Sequence, residues 1–554
     1  MDTKPGRPNP WLFAGLALAG GVVTGLGFAP YDLWWLVPIG VATMVVTTQT
    51  ASPGIGALRG YLYGFGFNLV AFRWITAFGM PAILFVFVAW LAVWYALVGL
   101  VIAATRKTAV WGVAGVAAWM GAEWAGARWP FGGFGWGRLA YSAVDTPIDG
   151  LFPIISATGV SFIIVTCGFL LAWIVVRVIR RSPRSWPQWA SQLVELPVIG
   201  LVAVVLVAAV GGAFGRGYDP GSPGDPVNIG VVQGNVPGTG VEALGPRYTV
   251  ENNHLAETII LAAKIRTGQV SAPDFVAWPE NSAATDALRD EHTAHIIDTA
   301  VDLVQVPILA GAIVAGPGDD ERQTVGLWWT PRDGVTASYA KRNLVPFGEW
   351  IPFRSLVVSL IPVLERVGAQ SVPGDSPGVL DVLVDGRGLR VGDLICFEVS
   401  YDDTFDQMIT GDPSTGGGAQ VIVVQTSNAM FTGSDQMAQQ DRITRVRAME
   451  ARREIVVSTT NSLAGLIDSH GRVVYQSELS HSDATVFEVP RRVEVTLAVA
   501  WRRGYDLASV LVPMMIGAGV LIASRRGHRH ARLDGSGEAA SSRSAVASAT
   551  DGRG

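Results

Sequence analysis

Long apolar runs recur through the first 214 residues: Trp11–Ala29, Trp34–Thr48, Gly60–Phe78, Pro81–Ala104, Ala109–Ala127, Ile154–Val176 and Leu196–Phe214. Each approaches the roughly 20 residues a helix needs to cross a bilayer, so they predict seven spans, and Leu507–Ala523 predicts an eighth. The first run follows Lys4 and Arg7 as a signal peptide would, but it is too long and more spans follow, so it reads as an uncleaved span. From Gly215 to about Arg503 the rhythm changes. Short β-branched runs at Val227–Val232, Phe275–Trp278, Pro307–Val314, Val325–Thr330, Val391–Phe397, Val421–Thr426, Ile455–Thr460 and Thr485–Val489 predict strands. Helical patterns at Thr249–Arg266, Glu291–Val304 and Ser434–Arg452 alternate with them, which predicts an α/β domain with sheets inside and helices outside.

Charge orients the expected bundle. With the N-terminus inside, the inner loops hold Arg59, then Arg106 and Lys107, then Arg177, Arg180, Arg181 and Arg184, and finally the Arg525, Arg526, Arg529, Arg532 tail. Basic inner loops and an even span count put the α/β domain outside the cytoplasm and both termini within it. The expected divisions are a bundle over 1–214, the outer domain over 215–503, a last span over 504–524 and a basic, disordered cytoplasmic tail over 525–554. Between the fifth and sixth spans, the Gly- and aromatic-rich stretch Arg128–Tyr141 reads equally as an interfacial loop or an ordinary aromatic belt. Arg73 and Glu123 are expected to snorkel or to line a headgroup pocket.

Composition agrees with a part in lipid: 49% hydrophobic residues, 16% charged and 19 Trp. A net charge of −5 sets nucleic acid aside. Of two cysteines, Cys167 falls in an apolar run, which leaves Cys396 without a partner for a disulfide or a thiolate metal site. Cys396 closes the run Val391–Ile395. A free Cys is most often a small buried hydrophobe, so its company decides its reading.

Two other apolar segments also end in charge: Phe275-Val-Ala-Trp-Pro-Glu280, and Tyr339-Ala-Lys341 running on to Glu349. Glu, Lys and Cys at strand ends are the parts of thiol-based acyl transfer: Glu280 as general base and later acid, Cys396 as nucleophile. Lys341 would lower the thiol pKa and face the oxyanion, which the Phe397 backbone N–H could also hold. The bland alternative for Glu280 and Lys341 is a solvated salt bridge.

Trp278-Pro-Glu280, Lys341-Arg-Asn-Leu-Val-Pro-Phe-Gly-Glu349 and Cys396-Phe-Glu398, in that order, resemble the signature of the nitrilase, or carbon-nitrogen hydrolase, superfamily. Val232-Gln-Gly-Asn-Val-Pro237 and Thr459-Thr-Asn461-Ser support it, and with the flanking spans residues 10 to 523 resemble the apolipoprotein N-acyltransferase family. The resemblance implies an αββα sandwich on about eight spans, facing the outer leaflet of the cell membrane. It implies Glu280, Lys341 and Cys396 as catalytic residues, with Glu349, Glu398, Phe397, Asn428 and Trp278 as supporting or substrate-binding residues. It further implies a ping-pong reaction from a phospholipid, through a Cys thioester, to the α-amino group of a diacylglyceryl-Cys lipoprotein, with no metal or soluble cofactor. The chain departs from the family pattern at Asn343, at Phe397 and in the loop Ser427–Phe431, where Met430 stands for a Trp. Ala-, Gly-, Val- and Arg-rich usage resembles actinobacterial sequences, where such domains can be linked to polyprenol-phosphate mannose synthases, so a synthase of that kind is an expected partner. The competing readings are a membrane-anchored amidase acting on small amides, and a non-catalytic scaffold or transporter.

Overall fold

The computed structural model describes residues 9–78, 81–180, 196–238, 245–412, 416–520 and 522. Lys4, Arg7, Arg181, Arg184 and the expected tail 525–554 lie outside them.

The N-terminal part is helical: α1 (Pro10–Gly25), α2 (Leu36–Gln49), α3 (Pro53–Ala71), α4 (Pro81–Thr105), α5 (Trp111–Gly126), α6 (Phe152–Arg180) and α7 (Leu196–Arg216). Residues 502–520 form a further helix. Among the described residues, Pro81–Thr105, Asp149–Ile179 and Leu196–Arg216 are long and apolar enough to cross a membrane. α1 and α2 are apolar but shorter. Small residues let the helices touch backbone to backbone: a Cβ at Gly60 would lie 2.2 Å from the Tyr95 carbonyl oxygen, and one at Gly99 2.3 Å from that of Gly56.

Three expectations need correction here. The third apolar run does not begin at Gly60, because Pro53 starts α3 seven residues earlier, where its missing N–H costs nothing. Arg59, expected in a loop, is therefore buried in α3 and donates to the Thr47 carbonyl at 2.6 Å. The Arg128–Tyr141 stretch is not simply interfacial: Trp129 is exposed, but Trp136, Leu139, Ala140 and Tyr141 are buried. Of the two charged residues expected to snorkel or to line a pocket, Arg73 is half exposed and pairs with Asp435, and Glu123 lines a pocket with Arg138 and accepts the Leu139 N–H at 3.2 Å.

The second part is a sandwich of two sheets. The first has the order β13 (Asp483–Pro490), β1 (Pro226–Gln233), β2 (Phe275–Ala277), β3 (Ile308–Ala315), β4 (Glu321–Thr330) and β5 (Gly334–Ala340), with β6 (Gln370–Ser371) on β4. The second runs β12 (Val473–Gln476), β11 (Gly465–Ile467), β10 (Ile455–Thr459), β9 (Val421–Thr426), β8 (Arg387–Ile395) and β7 (Val379–Val384). Parallel triplets β1-β2-β3 and β8-β9-β10 form the centres, flanked by antiparallel strands. Ile229, Phe275, Leu309 and Trp328 from one sheet meet Leu380, Val391, Val423 and Val456 from the other in one core. Thr249–Arg266 and Glu291–Val304 cover the first sheet, while Asp402–Thr410 and Gln436–Ala451 cover the second. Helix–sheet–sheet–helix layering follows from strands apolar on both faces. One acid interrupts that core. Asp393 on β8 is fully buried, neither carboxylate oxygen has a hydrogen-bond partner, and a Cβ at Gly326 would lie 1.9 Å from its Oδ2. Burial, with the Glu398 and Glu280 charges adding to it, raises its pKa well above the ordinary value of an aspartate and so favours the neutral form.

A buried ionic clamp ties the two parts together. Arg138 from the bundle donates to Asp402 at 2.6 Å, and Arg447 donates to Asp402 at 2.8 Å, to Glu450 at 2.7 Å and to the Val399 carbonyl at 2.7 Å. Arg502 binds Glu450 and Asp406, and the Ala157 N–H donates to Glu450 at 2.7 Å. Burial alone would raise the Asp402 carboxyl, yet Arg138, Arg502 and Arg447 hold it well below the usual range. Beside the clamp, Gln439 accepts from the indoles of Trp74 and Trp136 and donates to the carbonyls of Ala29 and Ala71. Arg447→Met would leave two buried carboxylates short of a partner. We expect a loss of about 3–5 kcal/mol, read as a lower thermal midpoint in detergent, whereas an unchanged midpoint would show that the clamp is dispensable.

Candidate active site

The carboxyl ends of β2, β5, β8 and β9 lie together at one edge of the sandwich, where strand-end residues converge in sheets of this kind. Glu280 follows β2, Lys341 follows β5, Cys396 follows β8 and Ser427 follows β9. The structure thus brings together the three residues expected to do chemistry. Lys341 is buried and its ammonium is the hub: Nζ donates to Glu280 Oε1 at 3.0 Å and to Glu349 Oε1 at 2.7 Å. The other oxygens are also held. Ser427 N–H donates to Glu280 Oε2 at 2.7 Å, and Val345 N–H donates to Glu349 Oε2 at 2.7 Å.

Cys396 ends its strand in a left-handed conformation with φ of 56°. For a residue with a Cβ this costs about 1–3 kcal/mol and turns the side chain out of the strand's alternation, as in other strand-to-helix nucleophile turns. Glu398 fastens this turn. It accepts the N–H groups of Ile395 at 2.9 Å, Arg342 at 2.7 Å and Asn343 at 3.1 Å, and the Tyr339 hydroxyl at 2.8 Å. One carboxylate thereby joins the Cys396 turn to the backbone beside Lys341.

Electrostatics correct one expectation. Lys341 does pull the Cys396 thiol pKa down, but burial and the Glu280 charge outweigh it, and the thiol is pushed up to about 12. Burial is the larger cause, and the charge count adds to it: one ammonium stands between two carboxylates, so the surroundings disfavour a further anion. Burial also raises the Glu280 carboxyl, with Lys341 opposing and Glu349 reinforcing the shift. Lys341 itself stays charged, because Glu280 and Glu349 outweigh its burial.

The remaining expected residues fall in different places. Phe397 is buried and stacks on Trp136 and Phe134, with ring centroids 5.5 and 5.8 Å apart. The loop from the bundle is thus a wall next to the nucleophile. Asn428 is buried, and its side-chain oxygen accepts from the Thr426 hydroxyl at 3.4 Å. Trp278 is fully buried with its indole donating to Thr258 at 3.1 Å, so its ring packs on the helix side of the first sheet, away from the cluster. Of the departures, Asn343 is tied through its side chain to Thr404, and Met430 is exposed. Two contributors went unnoticed in the sequence: Thr426, which lies beside the Cys396 thiol, and the Ser427 N–H on Glu280. The signal was there, since Val421–Thr426 is a fourth apolar strand ending in polar residues. Among the described residues no group of acidic, His and Cys side chains is arranged to hold a metal.

Comparisons with known proteins bear on the whole chain. The family model described as Apolipoprotein N-acyltransferase N-terminal domain matches residues 20–170. A solved member of branch 10 of the nitrilase superfamily from Saccharomyces cerevisiae aligns with 52% of this chain and 96% of its own at 11% identity, with a TM-score of 0.34, too low to weigh. The apolipoprotein N-acyltransferase of Pseudomonas aeruginosa is 27% identical over 494 residues, 86% of this chain and 88% of that one. That of Mycolicibacterium smegmatis is 31% identical over 522 residues, 91% of this chain and 84% of that one. With a relative this similar along both the helical part and the sandwich, the chain belongs to the apolipoprotein N-acyltransferase family.

Proposed function

We propose that this acyltransferase moves a fatty acyl chain from a phospholipid to Cys396 as a thioester. From there it passes to the α-amino group of a diacylglyceryl-Cys apolipoprotein. The observation that carries the reading is the Glu280–Lys341–Glu349 cluster beside a Cys on a left-handed turn, walled by aromatic residues of an apolar helical bundle. In the first half-reaction Sγ attacks the ester carbonyl while Glu280 takes the thiol proton. The tetrahedral intermediate collapses, the C–O bond to the glycerol breaks, and Glu280 returns the proton to the leaving lysophospholipid. In the second, the lipoprotein amine attacks the thioester carbonyl and gives a proton to Glu280; the C–S bond breaks, an amide forms, and Glu280 passes that proton to the leaving thiolate. Lys341 has three N–H donors, two of them on carboxylates, and the third is available for the oxyanion in both steps; the Phe397 N–H is a second candidate donor. A thiol with a high pKa suits this scheme, because it ionises only as Glu280 removes its proton during attack. An apolar wall keeps water from the thioester until the amine arrives.

The same reading assigns residues 1–214 to seven spans, 215–503 to an extracytoplasmic catalytic domain, 504–524 to an eighth span and 525–554 to a cytoplasmic tail. It places the site at the outer leaflet of the cell membrane. A polyprenol-phosphate mannose synthase is its proposed protein partner.

Incubation of the purified protein with phospholipid should add one acyl chain to the peptide containing Cys396. Hydroxylamine should remove it, and Cys396→Ala should abolish both label and transfer; transfer surviving that substitution would refute the assignment. Glu280→Gln should slow acyl-enzyme formation by about 10²–10⁴-fold, measured in a single turnover. With its pKa pushed up to about 12, little of the Cys396 thiol is ionised at pH 7. Iodoacetamide labelling should therefore be slow at pH 7 and still climbing at pH 9. Lys341→Met should slow it further, since Lys341 is the group pulling the pKa down; a plateau near neutral pH would contradict this account.

A further inference from the structure

An open pocket lies where α7 leaves the bundle, lined by Arg216, Arg445, Arg452, Arg472, Asp145 and Asp149 among others. Two of the arginines are matched: Arg216 pairs with Asp149 at 2.8 Å, and Arg445 with Asp145, which also takes Arg442 at 3.1 Å. Arg452 and Arg472 have no carboxylate within ion-pair distance among the described residues. Four cations therefore face two anions across the cavity. Arg452 is buried, and its guanidinium donates only to carbonyls, those of Tyr218 at 2.9 Å, Ser469 at 3.0 Å and Gly215 at 2.5 Å. Helix-end carbonyls supply a partial charge at most, and Asp219 and Asp468 act on Arg452 only from farther away. A buried cation without a counter-ion is costly, and an anion entering the cavity would relieve the cost.

The height of the cavity identifies the anion. Gly215, bonded to Arg452, is in the last turn of a helix apolar enough to cross a membrane, whose Val207, Val210 and Phe214 are largely exposed. Lipid chains would cover those side chains and bring headgroups level with the arginines. We propose that this pocket binds the phosphate of an anionic phospholipid as a site separate from the nucleophile. The helix Gln436–Ala451 measures that separation. Its Gln440 bonds Thr426 beside Cys396, and Arg452 follows its other end, roughly 18 Å away at 1.5 Å per residue.

The test is native mass spectrometry of the full-length protein in detergent with diether phosphatidylglycerol, which has no acyl ester to donate, against diether phosphatidylcholine. Wild type should retain the anionic lipid preferentially. Arg472→Gln, at an exposed position outside the proposed catalytic set, should weaken retention about fivefold for the one charge lost, and Arg472→Lys should restore it. Acyl transfer by Arg472→Gln should persist, which separates failure of this site from failure of the catalytic reading. Equal retention of both lipids, or retention unaffected by Arg472→Gln, would overturn the proposal. So would displacement of the lipid by equimolar inorganic phosphate, which would assign the pocket to a soluble anion.

Discussion

A buried ammonium between two carboxylates governs this molecule. Lys341 could not sit at the sheet edge uncompensated, and Glu280 and Glu349 compensate it from two different segments, with Ser427 and Val345 holding their outer oxygens. The cluster therefore fixes where the ends of β2, β5 and β9 lie relative to one another. It also bears on the chemistry, because burial, reinforced by the Glu280 charge, pushes the Cys396 thiol pKa up. A protonated resting thiol is slow to oxidise or alkylate, since reactivity of that kind follows thiolate character.

The second constraint is the junction with the helical bundle. Asp402 and Glu450 from the sandwich meet arginines from both sides of the boundary, and Phe397 lies against Trp136 and Phe134. Polar clamp and aromatic stack flank the five-residue segment that follows the nucleophile. Cys396 is therefore positioned by the bundle as much as by its own strand, and the site is built from two parts that meet at an apolar surface.

Much of this was legible in the sequence. The helix Glu291–Val304 agrees with its periodicity to the residue, because apolar side chains line its core face; Thr249–Arg266 keeps its expected bounds although Glu251, His254 and Glu257 are buried and Ile259 and Ile260 exposed. Glu280 and Cys396 were recognisable because each closes an apolar run, whereas Lys341 was recognisable by the motif it shares with Glu349. β5, β7 and β12 were not among the apolar runs, since exposed positions interrupt them. The destination of Arg128–Tyr141 was also hidden, because Gly and aromatic residues suit a lipid interface and a protein interface alike. The thiol pKa could not be read either, as it depends on burial and on how near the Glu280 carboxylate lies. Trp278 misled for a similar reason: proximity to Glu280 in sequence says nothing about which side of the sheet a ring faces.

The contact between Gly326 and Asp393 reaches beyond this chain. Space on β4 and an acid on β8 compete for the same volume between the sheets, so neither position can drift alone. Relatives that gain a side chain at the first position should carry a smaller residue at the second. Along the family's history the two sites would exchange bulk as a pair, and a neutral acid buried between the layers would persist only in lineages that keep the glycine.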